Sequence, residues 1–349
     1  MKRRLAISGM GRIGRLLVRR AFSKGLAAAE IAAINTTSPV ETVAHLLKYD
    51  TVHGKWDADI DIEDKRLLIN GQAIDIVMER DPLQLPWERL GIDIAIDATG
   101  KFNDRQGAAK HVTAGAGRVI LTAPGSGVDL TVVMGVNEAS YDPQRHRLLS
   151  TASCTTNCLA PILHILDEAF QLEQGWMTTV HAFTNDQNHM DNPHKDLRRA
   201  RACTQSIIPT STGVGKALAG VLPHLASRVQ GISLRVPTQD VSLVDLTALV
   251  KRPVTKEEVK DAIRQAVSGK LAPIVEYNEL PLVSSDYTGN DKSAVIDGLS
   301  LMVADNQIKL LAWYDNEWAY ASRVIDFAEY VAKAEKGSVE LSWSEALAR

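Results

Sequence analysis

The chain has 349 residues, 45% hydrophobic and 23% charged, a balance that fits a soluble globular protein long enough for two domains. A formal charge of −3 gives no reason to expect nucleic acid or an anionic membrane as the main partner. No apolar run approaches the roughly 18 residues a membrane helix needs, and three cysteines are too sparse and odd a set for a disulfide framework. The start, MKRRLAISGMGRIGR, is basic as a signal peptide would be, but glycines cut its apolar stretch and it runs straight into a structural motif. A reduced, cytoplasmic setting is therefore expected.

In chain order, RLAISGM reads as a buried strand, GRLLVRRAFSKG as a helix ending at Gly25, EIAAINTT as a second strand and ETVAHLLKYD as a helix. Residues 57–79 alternate with period two around ED and NG turn signals, which predicts an antiparallel excursion. DIAIDATG, the helix DRQGAAKHVTAGA and RVILTAP resume strand–helix alternation, the mark of a mostly parallel sheet with helices on both faces. Beyond about residue 150 the pattern changes. A helix over 155–170 leads to WMTTVHAFTN, a polar and basic loop at 185–206 and a helix GVGKALAGVL. Longer strand-like runs follow, with one amphipathic helix, TKEEVKDAIRQAVSG, capped by Thr255 and Glu258. A last helix is expected from about 316 to 335. The second half thus reads as α+β with a large, mostly antiparallel sheet.

Gly9, Gly11 and Gly14 form G-x-G-x-x-G between a strand and a helix. That context points to dinucleotide binding: a tight turn, a close backbone approach to a pyrophosphate, and a helix N-terminus aimed at its charge. An NAD site ends its second strand in Asp or Glu, which bonds the ribose hydroxyls. Here the strand ends in Asn35, Thr36, Thr37 and Ser38. No carboxylate repels a 2′-phosphate, and no arginine stands beside this strand as a phosphate partner. Thr36 either faces the ribose or merely caps a loop.

STASCTTNCLAP places two cysteines four apart. Ser153, Thr155 and Thr156 suit a first helical turn, which puts Cys154 where free N–H groups and the helix dipole favour a thiolate. Cys158 falls a turn deeper as a small hydrophobe, and Cys203 sits in a loop with no evident role. A CxxxC pair with no second ligand pair makes no zinc site. His181 closes a hydrophobic strand and is a candidate base, although a lone histidine there is more often a core or loop residue than a catalyst.

GMGRIGR, SCTTNCLAP, HKDLRRAR, LRVPT and WYDNEW occur in this order in phosphorylating glyceraldehyde-3-phosphate dehydrogenases, and the chain resembles that family from residue 3 to about 335. The resemblance implies a Rossmann domain over 1–153 and 316–349, with the last helix packed back, and a catalytic domain over 154–315. It implies a homotetramer that uses glyceraldehyde 3-phosphate and inorganic phosphate, with no nucleic-acid or membrane partner and no metal. Cys154 matches the nucleophile and His181 its acid–base partner. Thr184 and Arg235, with Arg199 nearby, match the substrate-phosphate site; Ser153, Thr155, Thr212 and Gly213 match the site of the attacking phosphate. The cofactor positions fall on Gly9, Met10, Gly11, Arg12, Ile13, Asn35, Thr36, Arg80, Thr99, Gly100, Thr122 and Asn316.

Several positions depart from the family pattern. Ser8 and Met10 replace an asparagine and a phenylalanine at the glycine turn, and Ala319 stands where glycine is common. The acidic ribose residue of NAD-specific members falls on Thr36, and a leucine before a proline in the cofactor-facing loop falls on Asn192. With KYDTVHG, LPWERLGID and TAPG, these changes are similar to the NADP-preferring, gluconeogenic bacterial branch, so NADP is favoured over NAD. Erythrose-4-phosphate dehydrogenase, a sister enzyme with the same cysteine chemistry, shares LLKYDT and LPW. IPTSTGVGKAL, however, resembles the inorganic-phosphate site of the phosphorylating enzymes. A cysteine hydrolase or a non-catalytic scaffold are more distant readings. The tail KGSVELSWSEALAR is expected to be a short surface extension.

Overall fold

The structure, a computed structural model, describes residues 1–334, so the tail expected as a surface extension lies outside it. Two compact units divide the chain. The first comprises Met1–Val132, Glu138–Ala152 and the last helix from Ala321; the second comprises Val133–Asn137 and Ser153–Tyr320.

The first unit contains β1 (Arg3–Ser8), α1 (Arg12–Lys24), β2 (Ala29–Asn35), α2 (Val40–Lys48), β3 (Ile60–Glu63), β4 (Arg66–Ile69), β5 (Gln72–Val77), α3 (Trp87–Leu90), β6 (Ile94–Asp97), α4 (Arg105–Thr113), β7 (Arg118–Leu121), β8 (Leu130–Thr131) and β9 (Leu148–Ser150). The nine strands make one sheet in the order β3-β4-β5-β2-β1-β6-β7-β9-β8. Leu5, Ala6 and Ile7 in β1 and Ile94, Ala95 and Ile96 in β6 have no exposed surface, as strands covered on both faces require. β1 pairs in parallel with both β2 and β6, so the strand order reverses there and a crevice opens at their carboxyl ends. The expected excursion is present: β3, β4 and β5 run antiparallel. Its two turns carry Asp64–Lys65 and Asn70–Gly71, all at positive φ, the geometry of tight hairpins.

The last helix, α8 (Trp318–Ala334), begins in the second unit and continues in the first from Ala321. There the buried Glu329 carboxylate accepts the N–H groups of Ala27, Ala28 and Ala29 at the start of β2, and Asp326 pairs with Lys24.

The second unit contains α5 (Cys154–Phe170), β10 (Leu172–Ala182), β11 (Ile208–Thr210), α6 (Val214–Val221), β12 (Val229–Val236), β13 (Ser242–Val250), α7 (Lys256–Ser268), β14 (Val275–Asn278), β15 (Ala294–Ala304) and β16 (Gln307–Tyr314). Its seven-stranded sheet runs β11-β12-β10-β13-β16-β15-β14. Pairing is mostly antiparallel; β10 with β12 and β14 with β15 are parallel. The predicted capping box of α7 forms between Thr255 and Glu258. Alternation along β10 buries Met177, Thr179 and His181 and leaves Trp176 57% exposed on the opposite face. Trp176 pairs with Thr247, Thr247 with Lys309 and Lys309 with Met302, so one row of that open face crosses four strands.

Candidate active site and dinucleotide crevice

The first unit holds the glycine turn. Gly9 has φ +98°, and a Cβ there would lie 2.8 Å from the Thr99 nitrogen; at Gly14 it would lie 1.9 Å from the Gly9 carbonyl oxygen. The backbone therefore packs closer than any side chain allows. Gly11 occupies the N-cap of α1 without a side chain to fill the space before the helix, and Arg12 and Ile13 form its first turn. A cavity of about 540 Å³ opens beside them, lined in part by Met10, Asn35, Thr36, Thr99 and Arg80. The cradle that Gly9 and Gly14 leave, at a helix N-terminus and a strand-order reversal, fits the pyrophosphate of a dinucleotide.

The named cofactor residues divide between lining and framework. Asn35 is framework: its Nδ2 donates to Ser8 Oγ and to the Glu79 carbonyl, and its Oδ1 accepts the Glu79 N–H. Thr36 is buried and its hydroxyl accepts the Ser38 N–H, closing a turn while keeping its own proton to donate. The Arg12 guanidinium is committed to Asp50; burial opposes that carboxylate's charge, but Arg12 and the N–H groups of His53 and Val52 outweigh it and hold the pKa at about 2. Arg80 and Lys101 line the same cavity as Thr36, Thr37 and Ser38. No arginine follows the end of β2 in sequence, because Arg80 arrives from the loop after β5, which pairs in parallel with β2. Thr122 donates from both its N–H and its hydroxyl to the Asp97 carbonyl. Thr99, at the turn before Gly100 (φ +68°), donates N–H and hydroxyl to Asp97 Oδ1.

The second unit holds the thiol. Ser153 is the N-cap of α5, its Oγ accepting the Thr156 N–H, and Cys154 is the first helical residue as expected. Cys154 Sγ lies 3.4 Å from His181 Nε2. His181 is 3% exposed, and its Nδ1 is 2.7 Å from the Ala182 carbonyl. The Ala182 carbonyl only accepts and the Arg235 guanidinium only donates, and both lie on Nδ1; in the tautomer that bonds the carbonyl, Nδ1 carries the proton and Nε2 presents its lone pair to the thiol. Burial pushes Cys154 up, against the pull of Arg235 and of the N–H and hydroxyl of Thr155. Burial and then the Arg235 charge push His181 down to about 3, against its bond to Ala182. Both shifts favour a neutral thiol–imidazole pair. Cys158 is fully buried, and burial beside Cys154 raises it well above the usual thiol range. Cys203 is buried in the loop between β10 and β11, with its sulfur 3.9 Å from His189.

Arg235 and Thr184 join the pair: the guanidinium lies 2.9 Å from His181 Nδ1 and 3.1 Å from Thr184 Oγ1. Asp186, which sequence reasoning missed, accepts from Thr184 and pairs with Arg199, bringing Arg199 to the group. Thr212 and Gly213 stand at the N-terminus of α6, a place for an anion if a ligand reaches it. The Thr155 hydroxyl, by contrast, turns inward: the Tyr314 hydroxyl bridges it to Thr179, at 2.9 Å each. Asn316 is held by Ser242, whose hydroxyl accepts the Ala182 N–H and donates to Asn316 Oδ1 at 2.7 Å. Asn192 pins the same loop as Arg199, its N–H donating to Ala200 and its carbonyl accepting from Asn188. Tyr314, Ser242 and Asp186 carried no sequence signal, since their partners are distant in the chain or lie in an irregular loop.

The family description "Glyceraldehyde 3-phosphate dehydrogenase, NAD binding domain" matches residues 3–105, and "Glyceraldehyde 3-phosphate dehydrogenase, C-terminal domain" matches residues 153–316. The chain is 53% identical over 333 residues to glyceraldehyde-3-phosphate dehydrogenase 2 of Bacillus subtilis (strain 168), spanning 95% of this chain and 97% of that protein. It is 50% identical to glyceraldehyde-3-phosphate dehydrogenases of Priestia megaterium and Geobacillus stearothermophilus, in each case over 94% of this chain and 98% of the relative. With a glycine-turn dinucleotide crevice and a buried thiol–imidazole pair already in view, these likenesses place the chain in the glyceraldehyde-3-phosphate dehydrogenase family of NAD(P)-dependent oxidoreductases.

Proposed function

We propose that the protein oxidises glyceraldehyde 3-phosphate to 1,3-bisphosphoglycerate, reversibly and with uptake of inorganic phosphate, through a covalent intermediate on Cys154. The observation that carries this reading is the 3.4 Å approach of Cys154 Sγ to His181 Nε2, with Nδ1 held on the Ala182 carbonyl. His181 takes the thiol proton as sulfur adds to the aldehyde carbon, and returns it to the developing alkoxide to give a hemithioacetal. N–H groups at the start of α5, that of Cys154 among them, face the oxyanion. The bound nicotinamide supplies the hydride acceptor. His181 removes the hemithioacetal's hydroxyl proton as the hydrogen on the same carbon leaves as hydride, which leaves a thioester on Cys154; phosphate oxygen then adds to the carbonyl carbon, the Cys154 thiolate leaves, and an acyl phosphate is released.

Arg235 and Thr184, with Arg199 behind them, hold the substrate's own phosphate, and Ser153, Thr155, Thr212 and Gly213 form the site for the attacking one. With the Thr155 hydroxyl committed to Tyr314, its N–H is the part left to serve. On the cofactor side Gly9, Met10, Gly11, Arg12 and Ile13 take the pyrophosphate, Thr99, Gly100 and Thr122 the groove beneath, and Asn316 the carboxamide. NADP preference follows from charge: Arg80 and Lys101 line the crevice with Thr36, and Asn192 is a second position that resembles the NADP-preferring branch. This reading places the enzyme in a cytoplasmic, gluconeogenic role. A homotetramer would cover the open sheet face, where Trp176, Ile232 and Met302 are all more than half exposed.

The test is the initial rate of cofactor reduction with glyceraldehyde 3-phosphate, comparing NADP and NAD at equal low concentrations with and without phosphate. A phosphate-dependent rate that favours NADP supports the whole reading. Preference for NAD removes the branch assignment alone, and turnover only of erythrose 4-phosphate transfers the chemistry to the sister reaction.

A further inference from the structure

The end of β2 lacks an acid for the ribose, but the cavity beside it does not: its lining includes Thr36, Glu79, Arg80 and Lys101. Glu79 stands on the loop after β5, and that loop is fastened to the end of β2. Asn35 Oδ1 accepts the Glu79 N–H and Asn35 Nδ2 donates to the Glu79 carbonyl, both at 3.0 Å. The Thr36 N–H donates to the Val77 carbonyl at 2.9 Å. Both Nδ2 hydrogens of Asn35 are spent, on Glu79 and on Ser8, so Asn35 has no donor left for a ligand. The next acid along, Asp81, is engaged by Lys110 and by the Leu83 N–H. Glu79, Arg80 and Lys101 are the charged residues of the lining, and among the described residues none of their side chains is ion-paired or hydrogen-bonded. Opposite charges that line one cavity without pairing are both available to a ligand. The carboxylate takes donors and the cations take acceptors.

We propose that Glu79 supplies the acid missing from β2 and makes the crevice read both dinucleotides. Its carboxylate accepts the adenosine 2′-hydroxyl of NAD, the position at which NADP carries the phosphate that Arg80 and Lys101 receive. The inference rests on reading this cavity as the adenosine end of the dinucleotide crevice. It deepens the cofactor assignment above by naming the residue that limits the preference for NADP. A ribose hydroxyl brings a proton, which a carboxylate accepts in a charge-assisted bond. A 2′-phosphate brings only negative charge: Glu79 repels it, but two cations stand against one carboxylate and the lining still favours it. Thr36 suits either ligand, because its hydroxyl accepts the Ser38 N–H and keeps its own proton to donate. Specificity is therefore graded and not absolute, and Glu79 sets the grade.

The experiment measures dissociation constants by titration calorimetry on the full-length chain, for NAD, NADP and the 2′-deoxyadenosine analogue of NAD. Glu79 is exposed, so substitution there leaves the core untouched. E79A should weaken NAD about tenfold, the loss of one hydrogen bond to a charged group, and leave NADP unchanged or tighter. The 2′-deoxy analogue, which lacks the hydroxyl, should bind wild type and E79A alike. E79Q should keep part of the NAD affinity, because its amide oxygen still accepts, and should tighten NADP. K101Q should act in the opposite sense, weakening NADP and sparing NAD. Equal losses for NAD and its deoxy analogue in E79A would mean that Glu79 only holds the loop, and overturn the inference. Unchanged NAD affinity in E79A overturns it too, as does a wild type that binds NADP and no NAD. A wild type that binds neither dinucleotide removes the crevice reading itself.

Discussion

The indole nitrogen of Trp87 donates to His111 Nδ1 at 3.1 Å, and this one bond sets the state of a buried chain that ends at the dinucleotide crevice. An indole N–H only donates, so His111 Nδ1 must accept and Nε2 must carry the proton. Nε2 then donates to Asp97 Oδ2 at 2.9 Å, while Asp97 Oδ1 takes the N–H and hydroxyl of Thr99. His111 is fully buried and Asp97 nearly so. Trp87→Phe would leave His111 Nδ1 without its donor, at a cost of about 1–3 kcal/mol. Urea unfolding should show the loss as a lower midpoint, and dinucleotide affinity should fall with it as Thr99 loosens.

Gly14→Ala should damage the fold locally and the crevice specifically. Its Cβ would sit 1.9 Å from the Gly9 carbonyl oxygen, backbone that cannot swing aside. Thermal melting should fall, and quenching of tryptophan fluorescence by the dinucleotide, NAD or NADP, should require far higher concentrations. A variant that melts and binds like the wild type would show that the turn relaxes freely.

Cys154→Ser should abolish dehydrogenase turnover while leaving the fold intact, because a hydroxyl of higher pKa replaces the thiol at a site that already disfavours charge. His181→Gln should slow the chemical step by about 10²–10⁴-fold. Single-turnover kinetics check this, with KM for the cofactor unchanged. Cys158→Ala should retain activity, since that sulfur is fully buried beneath the site.

Stability should depend on pH through His181. Its folded pKa, about 3, lies below the ordinary 6.5, so between those values the unfolded chain holds a proton that the folded chain does not. Stability is therefore present above pH 6.5 and is lost as pH falls towards 3. Asp240 acts on the alkaline side. Burial, then Asp315 and Glu317, raise it to about 9, so its contribution is present below the ordinary 3.8 and is lost as pH rises through 9. Urea midpoints measured from pH 5 to 9 should show both slopes, with His181→Gln flattening the first and Asp240→Asn the second.

Local chemistry made much of this protein legible in one dimension. Gly9, Gly11 and Gly14 announce their turn because their spacing is the turn, and Ser153 announces the helix that presents Cys154 because capping is decided within four residues. Thr255 and Glu258 do the same for α7. Alternating periods separated the mostly parallel sheet from the mostly antiparallel one, since a strand covered on both faces reads differently from one open on one side. The remainder depended on which distant segments meet. Tyr314 is 159 residues from the hydroxyl of Thr155 that it turns inward, and Ser242 is 74 residues from the Asn316 it orients. Arg235 reaches His181 because β10 and β12 pair in a given register, and a one-residue slip would send it to the other face. Residue types and short spacings therefore determined what chemistry the chain carries. The sheet register and the burial it imposes decided which groups touch, and so their protonation, because charge and hydrogen bonding act through space and not along the chain.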